Sequence, residues 1–421
     1  MSKRFTAAEK RIIGIVCCFK IDEMEYQNNP TKILGDFFDE RGNKLCSRRT
    51  WNRMANGIPI SKHGVYEQVI KKYGKSFIYL PGLESELNSY LQNLLTIIEE
   101  GREEELMPCC QMLITKLEPY QDSLYYEVFH QAISDIMNCY GFGRMIHQEY
   151  YLYYQKVYKC LPLELQVLIK DMLFQYAVFV MSDVILIQKL VEKFDYQIEN
   201  SIILKIRYAQ YLMFHNQSYD AYNLLANLKK KCIKNKNYIQ QIEINKLLLN
   251  IAQVINQVDV GKYEEETLAI IHQHSDKISA KRLGGIYYMY ALRKYSIKDI
   301  EKTLDFIVKS IKSGYALRER ECNILLAFLS KRLGYDEPFL LFDDQLQYDD
   351  QSVTTIAYQY YVLNKRCSDP KTLEKFIVEN ILPRAKDMDE LYLDIFKFEI
   401  MLQINETRSH SMLKRFLEKV A

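Results

Sequence analysis

Arg48, Arg49, Asn52, Arg53 and Asn56 fall within nine residues, at steps of three and four that gather them on one side of a short helix. Guanidinium and carboxamide groups donate hydrogen bonds to phosphate oxygens and base edges, and a helix is the element that fits the major groove of duplex DNA. Ser47 and Thr50 add hydroxyls at the start of the same segment, and Trp51 and Met54 on its other side have the size to seat it on a small core. Ser47, Arg48, Arg49, Thr50, Asn52, Arg53 and Asn56 are therefore candidate contacts to DNA.

Holding such a helix takes a small helical domain, and residues 1–80 carry the pattern of one. Ile12, Ile13, Val16 and Phe19 recur at helical spacing within Ala7–Lys20. Lys32–Phe38 is a second, shorter helix after the break at Asn28, Asn29 and Pro30, with a turn at Glu40 to Asn43. Ser47 suits the N-cap of the third helix, Gly57 ends it, and Pro59 prevents its continuation. Val65–Tyr73 closes the core as a fourth helix. Residues 1–80 hold 15 Lys and Arg against 8 Asp and Glu, and the rest of the chain holds 41 against 46. The near-neutral total of +2 thus conceals a basic front, the electrostatic footprint of a DNA-contacting head.

After Pro81 and Gly82, residues 81–421 read as paired amphipathic segments. The first members fall at 84–99, 123–140, 162–179, 202–214, 238–255, 281–294, 318–333, 354–364 and 390–404, with midpoints about 34 to 41 residues apart, the period of helical-hairpin repeats. Second members include 143–158, 219–231, 263–274, 297–313 and 370–381. Stacked hairpins leave a concave face lined by the first helices, and such a face suits an extended peptide. On it, Glu243, Lys246, Asn250 and Gln253 form one stripe, extended by Arg207 with Gln210 and by Asn323. Amides donate to peptide carbonyls and accept from peptide N–H groups, and Arg207 suits a carboxylate. Tyr287 and Tyr290 join them from a chain with 33 tyrosines. The alternative reading of the polar stripe is a solvated helix face, and that of the tyrosines is wedges between helices.

Catalytic chemistry leaves no trace. The seven histidines are scattered, and no H-E-x-x-H, G-x-S-x-G, Walker or Rossmann glycine pattern occurs. Asp343-Asp344 and Asp349-Asp350 sit in a polar connector that reads as a solvated loop. The expectation is a non-enzymatic protein with no metal and no cofactor. Ten cysteines at irregular positions, without CxxC spacing, suit free thiols in a reducing cytosol. The apolar window Met172–Met181 is too short to span a bilayer, so no membrane association is expected.

The run from Ser47 to Gly57, SRRTWNRMANG, resembles the recognition-helix segment of the Xre-type helix-turn-helix, S-R-x-T-apolar-x-basic-apolar-E-x-G. Ala55 stands where that pattern has Glu, and the preceding turn is longer. Asn216 to Ala221 and Gly261 to Glu264 resemble the tetratricopeptide turn, whose aromatic packs between two helices; the full consensus is absent. Head and body together resemble the peptide-responsive regulators of Gram-positive bacteria and their phages, the Rgg, PlcR, PrgX and AimR group. That resemblance implies an all-α chain, with a helix-turn-helix at 1–80 and a degenerate tetratricopeptide-like body at 81–421. It further implies a cytoplasmic homodimer on a two-fold DNA operator, controlled by a short signalling peptide. Two alternatives stay open: a helical scaffold for protein partners, and a Rap-like binder of a response regulator without an operator.

Overall fold

The computed structural model describes residues 5–28, 44–181, 183–196, 200–255, 260–314, 318–335, 342, 352–366, 369–407, 414–416 and 418–419, with the side chains of 24–28, 253, 260, 281 and 404–407 left out. The expected second helix at Lys32–Phe38, the turn at Glu40 to Asn43 and the acid pairs at 343–344 and 349–350 lie outside these residues. The described chain is all-helical; an isolated β-bridge joins Ser76 to Ser123, and no strand forms among the described residues. Packing separates two compact units, Met1–Lys277 and Ile278–Ala421.

The first unit contains α1 (Ala7–Asn28), α2 (Arg48–Ala55), α3 (His63–Tyr73), α4 (Pro81–Glu100), α5 (Glu103–Leu117), α6 (Leu124–Ile136), α7 (Gln148–Val157), α8 (Leu163–Tyr176), α9 (Val184–Phe194), α10 (Ile202–Phe214), α11 (Ser218–Lys234), α12 (Tyr238–Val254) and α13 (Val260–His274). The second contains α14 (Ala280–Ser296), α15 (Ile300–Lys312), α16 (Glu319–Leu333), α17 (Val353–Arg366), α18 (Pro370–Phe376) and α19 (Glu390–Thr407). From α10 to α13 each helix packs on its predecessor, and α10 also meets α12. In the second unit α15, α16 and α17 each pack on the helix before them.

Local chemistry sets these helices. In α15, Asp299 caps the first turn by accepting from the Lys302 N–H at 3.3 Å, and Thr303, Phe306, Ile307 and Ser310 form the buried stripe at three- and four-residue steps. Pro81 opens α4 at a position where its missing N–H costs nothing. One-turn π-helical widenings at 137–141, 177–181 and 377–381 follow α6, α8 and α18, and no pattern in the sequence announced them.

A single apolar core runs through the first unit from Phe5 to Leu204. The segment after α3 is stitched into it: the Ser76 N–H donates to the Asp122 carbonyl, the Leu124 N–H to the Ser76 carbonyl (both 2.9 Å), and the Leu80 N–H to the Tyr126 hydroxyl at 2.8 Å. Cys17, Cys18, Cys109 and Cys110 are free thiols buried in this core, and burial pushes Cys110 up to about 12.

One expected turn contact is corrected. Tyr219 does not wedge between α10 and α11: it is 61% exposed, because the buried stripe of α11 runs through Ala221, Leu225, Leu228 and Cys232 instead. Its counterpart Tyr263 is buried, and its hydroxyl donates to the Tyr222 hydroxyl at 3.3 Å. Among the described residues, no helix is long and apolar enough to cross a membrane.

Candidate nucleic-acid interface

Ser47 begins the site. With extended backbone (φ −69°, ψ 153°), its hydroxyl accepts from the Thr50 N–H at 3.2 Å and lies 2.9 Å from the Thr50 hydroxyl, so α2 starts with a capped turn. Trp51 and Met54 are each 1% exposed and fix one face in the core. The opposite face presents Arg48, Arg49, Asn52, Arg53 and Asn56, all exposed. Arg48, Arg49 and Arg53 make no hydrogen bond or ion pair with the described residues, whereas the Asn56 amide is turned back onto the Asn52 carbonyl at 2.9 Å.

Close packing and hydrogen bonds hold α2 and the following loop to α1, among them Trp51 Nε1 donating to Asp22 Oδ2 at 3.4 Å. Gly14 lets the Met54 carbonyl approach so closely that a Cβ there would sit 2.7 Å from the carbonyl oxygen. Gly57 has φ +71° and lies against Ile15 and Arg11 of α1. The buried Lys10 ammonium donates to the Ile60 carbonyl at 3.2 Å and lies 3.3 Å from His63 Nε2, while the Ile60 N–H donates to the Tyr66 hydroxyl at 3.0 Å. A Gly14→Ala variant is expected to lose about 1–3 kcal/mol of stability, since the obstructing atom is backbone and cannot rotate away. Urea denaturation checks this.

Electrostatically the region is one-sided. Between Lys44 and Leu80 the chain carries eight Lys and Arg and one acid, Glu67. An α-helix with its side chains is about 10–12 Å across, which fits a major groove about 12 Å wide. The face thus offers three guanidinium groups without ion pairs among the described residues and one carboxamide, on a support fixed by Trp51 and Met54.

The residues expected to line a peptide groove are divided between the two units. In the first, Arg207 Nε donates to Asp171 Oδ1 at 2.6 Å and its Nη1 to Gln210 Oε1 at 3.0 Å. Asp171 is fully buried and also accepts from the Tyr140 hydroxyl at 2.5 Å and the Gln175 amide at 2.6 Å. Burial works against the Arg207 charge, but Asp171 outweighs it and raises the guanidinium pKa. Arg207 therefore already pairs a carboxylate, one of its own chain. Lys246 pairs with Glu243 at 3.0 Å, Asn250 is exposed, and the Gln253 side chain lies outside the described residues.

In the second unit Tyr290 is fully buried and Tyr287 half-buried, both rings packing on Phe306 with centroids 5.6 and 6.2 Å away. Asn323 is 3% exposed. These three sit at helix interfaces; Lys246, Asn250 and Gln210 keep solvent-facing surface.

Comparison with protein-family models, curated proteins and solved structures gave no match. Sequence reasoning missed the Asp171 network. The signal was the charged pair Lys170-Asp171 inside an otherwise apolar run, a place where an ionised side chain must find a partner.

Proposed function

We propose that the chain is a DNA-binding transcriptional regulator whose α2 enters the major groove, with Arg48, Arg49, Asn52 and Arg53 as contacts. One observation carries this reading: a capped helix, seated by Trp51 and Met54, leaves its basic face exposed and without ion pairs among the described residues. Structural arginines on a helical domain normally find acids; these three pair with none among the described residues. Lys44 and Lys62, both exposed, add positive charge on either side.

The remaining parts of the proposal follow the resemblance: a cytoplasmic homodimer on a two-fold operator, with a short signalling peptide on the helical-hairpin body. Support for a second copy comes from Phe179, Val180 and Met181 in the widening after α8 and Val184 and Ile185 at the start of α9, apolar side chains exposed by 44–65%. Ile185→Glu is expected to shift the protein toward monomer in sedimentation velocity, with unchanged helical content.

The primary test is selection of bound duplexes from a random pool by the purified chain, followed by mobility shift across salt. A regulator gives an enriched half-site and an affinity falling with a log–log slope of about −0.9 per neutralised phosphate. A scaffold or response-regulator binder gives no enrichment and no such slope.

A further inference from the structure

A cavity of about 430 Å³ opens within the second unit between α14, α16, α17 and α19, the size of a small-ligand site. Ile324, Leu325 and Ile395 give it aliphatic walls, and Tyr288, Tyr295 and Tyr392 add aromatic ones. Two of the tyrosine hydroxyls are held by protein: Tyr295 donates to Asp394 Oδ2 at 2.8 Å, and Tyr392 lies 2.8 Å from the Thr354 hydroxyl. Burial pushes Tyr392 up to about 12, so its ring is neutral at ordinary pH.

Charge decides what fits. The two cations in the wall already face acids: Arg318 Nη1 donates to Glu321 Oε1 at 2.8 Å, and Lys298 lies 3.6 Å from Asp394. Asp389 and Glu390, at the start of α19, form no ion pair among the described residues. Asp389 serves as a helix cap, accepting from the Tyr392 N–H at 3.0 Å, and that role needs an oxygen but not a charge. An anion entering here would meet two carboxylates that no cation among the described residues pairs. A cation would meet those carboxylates and aromatic faces, with aliphatic side chains around its stem.

We propose that this cavity binds an alkylammonium or guanidinium group carried on an apolar stem. The group belongs either to a free di- or polyamine or to a Lys or Arg side chain of a bound peptide. The site rests on the cavity alone and stands whether or not α2 binds DNA.

Isothermal titration of the full chain tests this with putrescine, spermidine, an N-acetylated lysine-containing pentapeptide and, as anionic control, glutarate. Saturable binding of at least one cation and none of glutarate is expected. Asp389→Asn with Glu390→Gln keeps the helix cap and removes both charges; it should weaken the cation about tenfold, the scale of two partly screened charges. Ile324→Trp, which fills the cavity, should abolish binding, with thermal denaturation confirming that the variant folds. Binding of the free amines assigns a small-molecule ligand, and binding confined to the pentapeptide assigns a peptide side chain; both uphold the site. Failure of every cation to bind at millimolar concentration, or unchanged affinity in the doubly neutralised variant, overturns it.

Discussion

The Arg49→Ala/Arg53→Ala protein is expected to lose specific DNA binding by about 100-fold or more while its circular dichroism and unfolding midpoint stay those of wild type. A bidentate arginine contact to a guanine edge is worth about 1–3 kcal/mol, so two such losses reach that factor. Stability should not move, because neither side chain contributes to the core or to an ion pair among the described residues, and exposed substitutions of this kind stay within about 0.5 kcal/mol. Arg49→Lys/Arg53→Lys separates two kinds of contact. It preserves charge and therefore the salt slope, but it removes the planar fork and with it discrimination between sequences. An undiminished footprint from the alanine variant would take the DNA role away from α2.

Arg207→Ala is the second large effect, and it reads out on stability. Removing the guanidinium leaves Asp171 buried with one charge-compensating partner gone, a loss of about 3–5 kcal/mol by comparison with other broken buried pairs. Asp171→Asn with Arg207→Met removes both charges and keeps an acceptor for Tyr140, so the double variant should recover most of that loss. Urea denaturation of wild type, Asp171→Asn, Arg207→Met and the double variant measures the coupling. If Arg207→Ala were as stable as wild type yet lost peptide binding, Arg207 would be a ligand contact after all.

Helix positions were legible because the chain's buried stripes follow the 3.6 period closely. The expected 202–214 segment is α10 itself, and 238–255 and 318–333 differ from α12 and α16 by a residue. The face of α2 was legible for the same reason, reinforced by the Ser47 cap and Gly57. The interior of the polar network was not. Periodicity tells which side of a helix is buried against something, but it does not say that the something is Asp171 rather than a ligand. Tyr290 and Asn323 show the same limit, since a polar tip on a first helix points equally well into a groove or into a neighbouring helix. Tyr219 departs for a different reason: the short turn pattern carries no information about helix rotation, and the buried stripe of α11 places that ring outside.

The close approach of Met54 to Gly14 bears on how DNA affinity would be controlled. α2 is seated on α1, and α1 packs in turn on α6 and α7, with the Lys20 ammonium donating to the Tyr150 hydroxyl at 3.0 Å and the Phe19 and Tyr153 rings 4.6 Å apart. Among the described residues of the first unit, α2 is thus held by its packing on α1, and the proposed DNA-contacting face would move with that unit. An effector would then act by resetting the distance between two copies, so that both heads match or miss successive turns of the duplex, and a single head on a half-site should be indifferent to it.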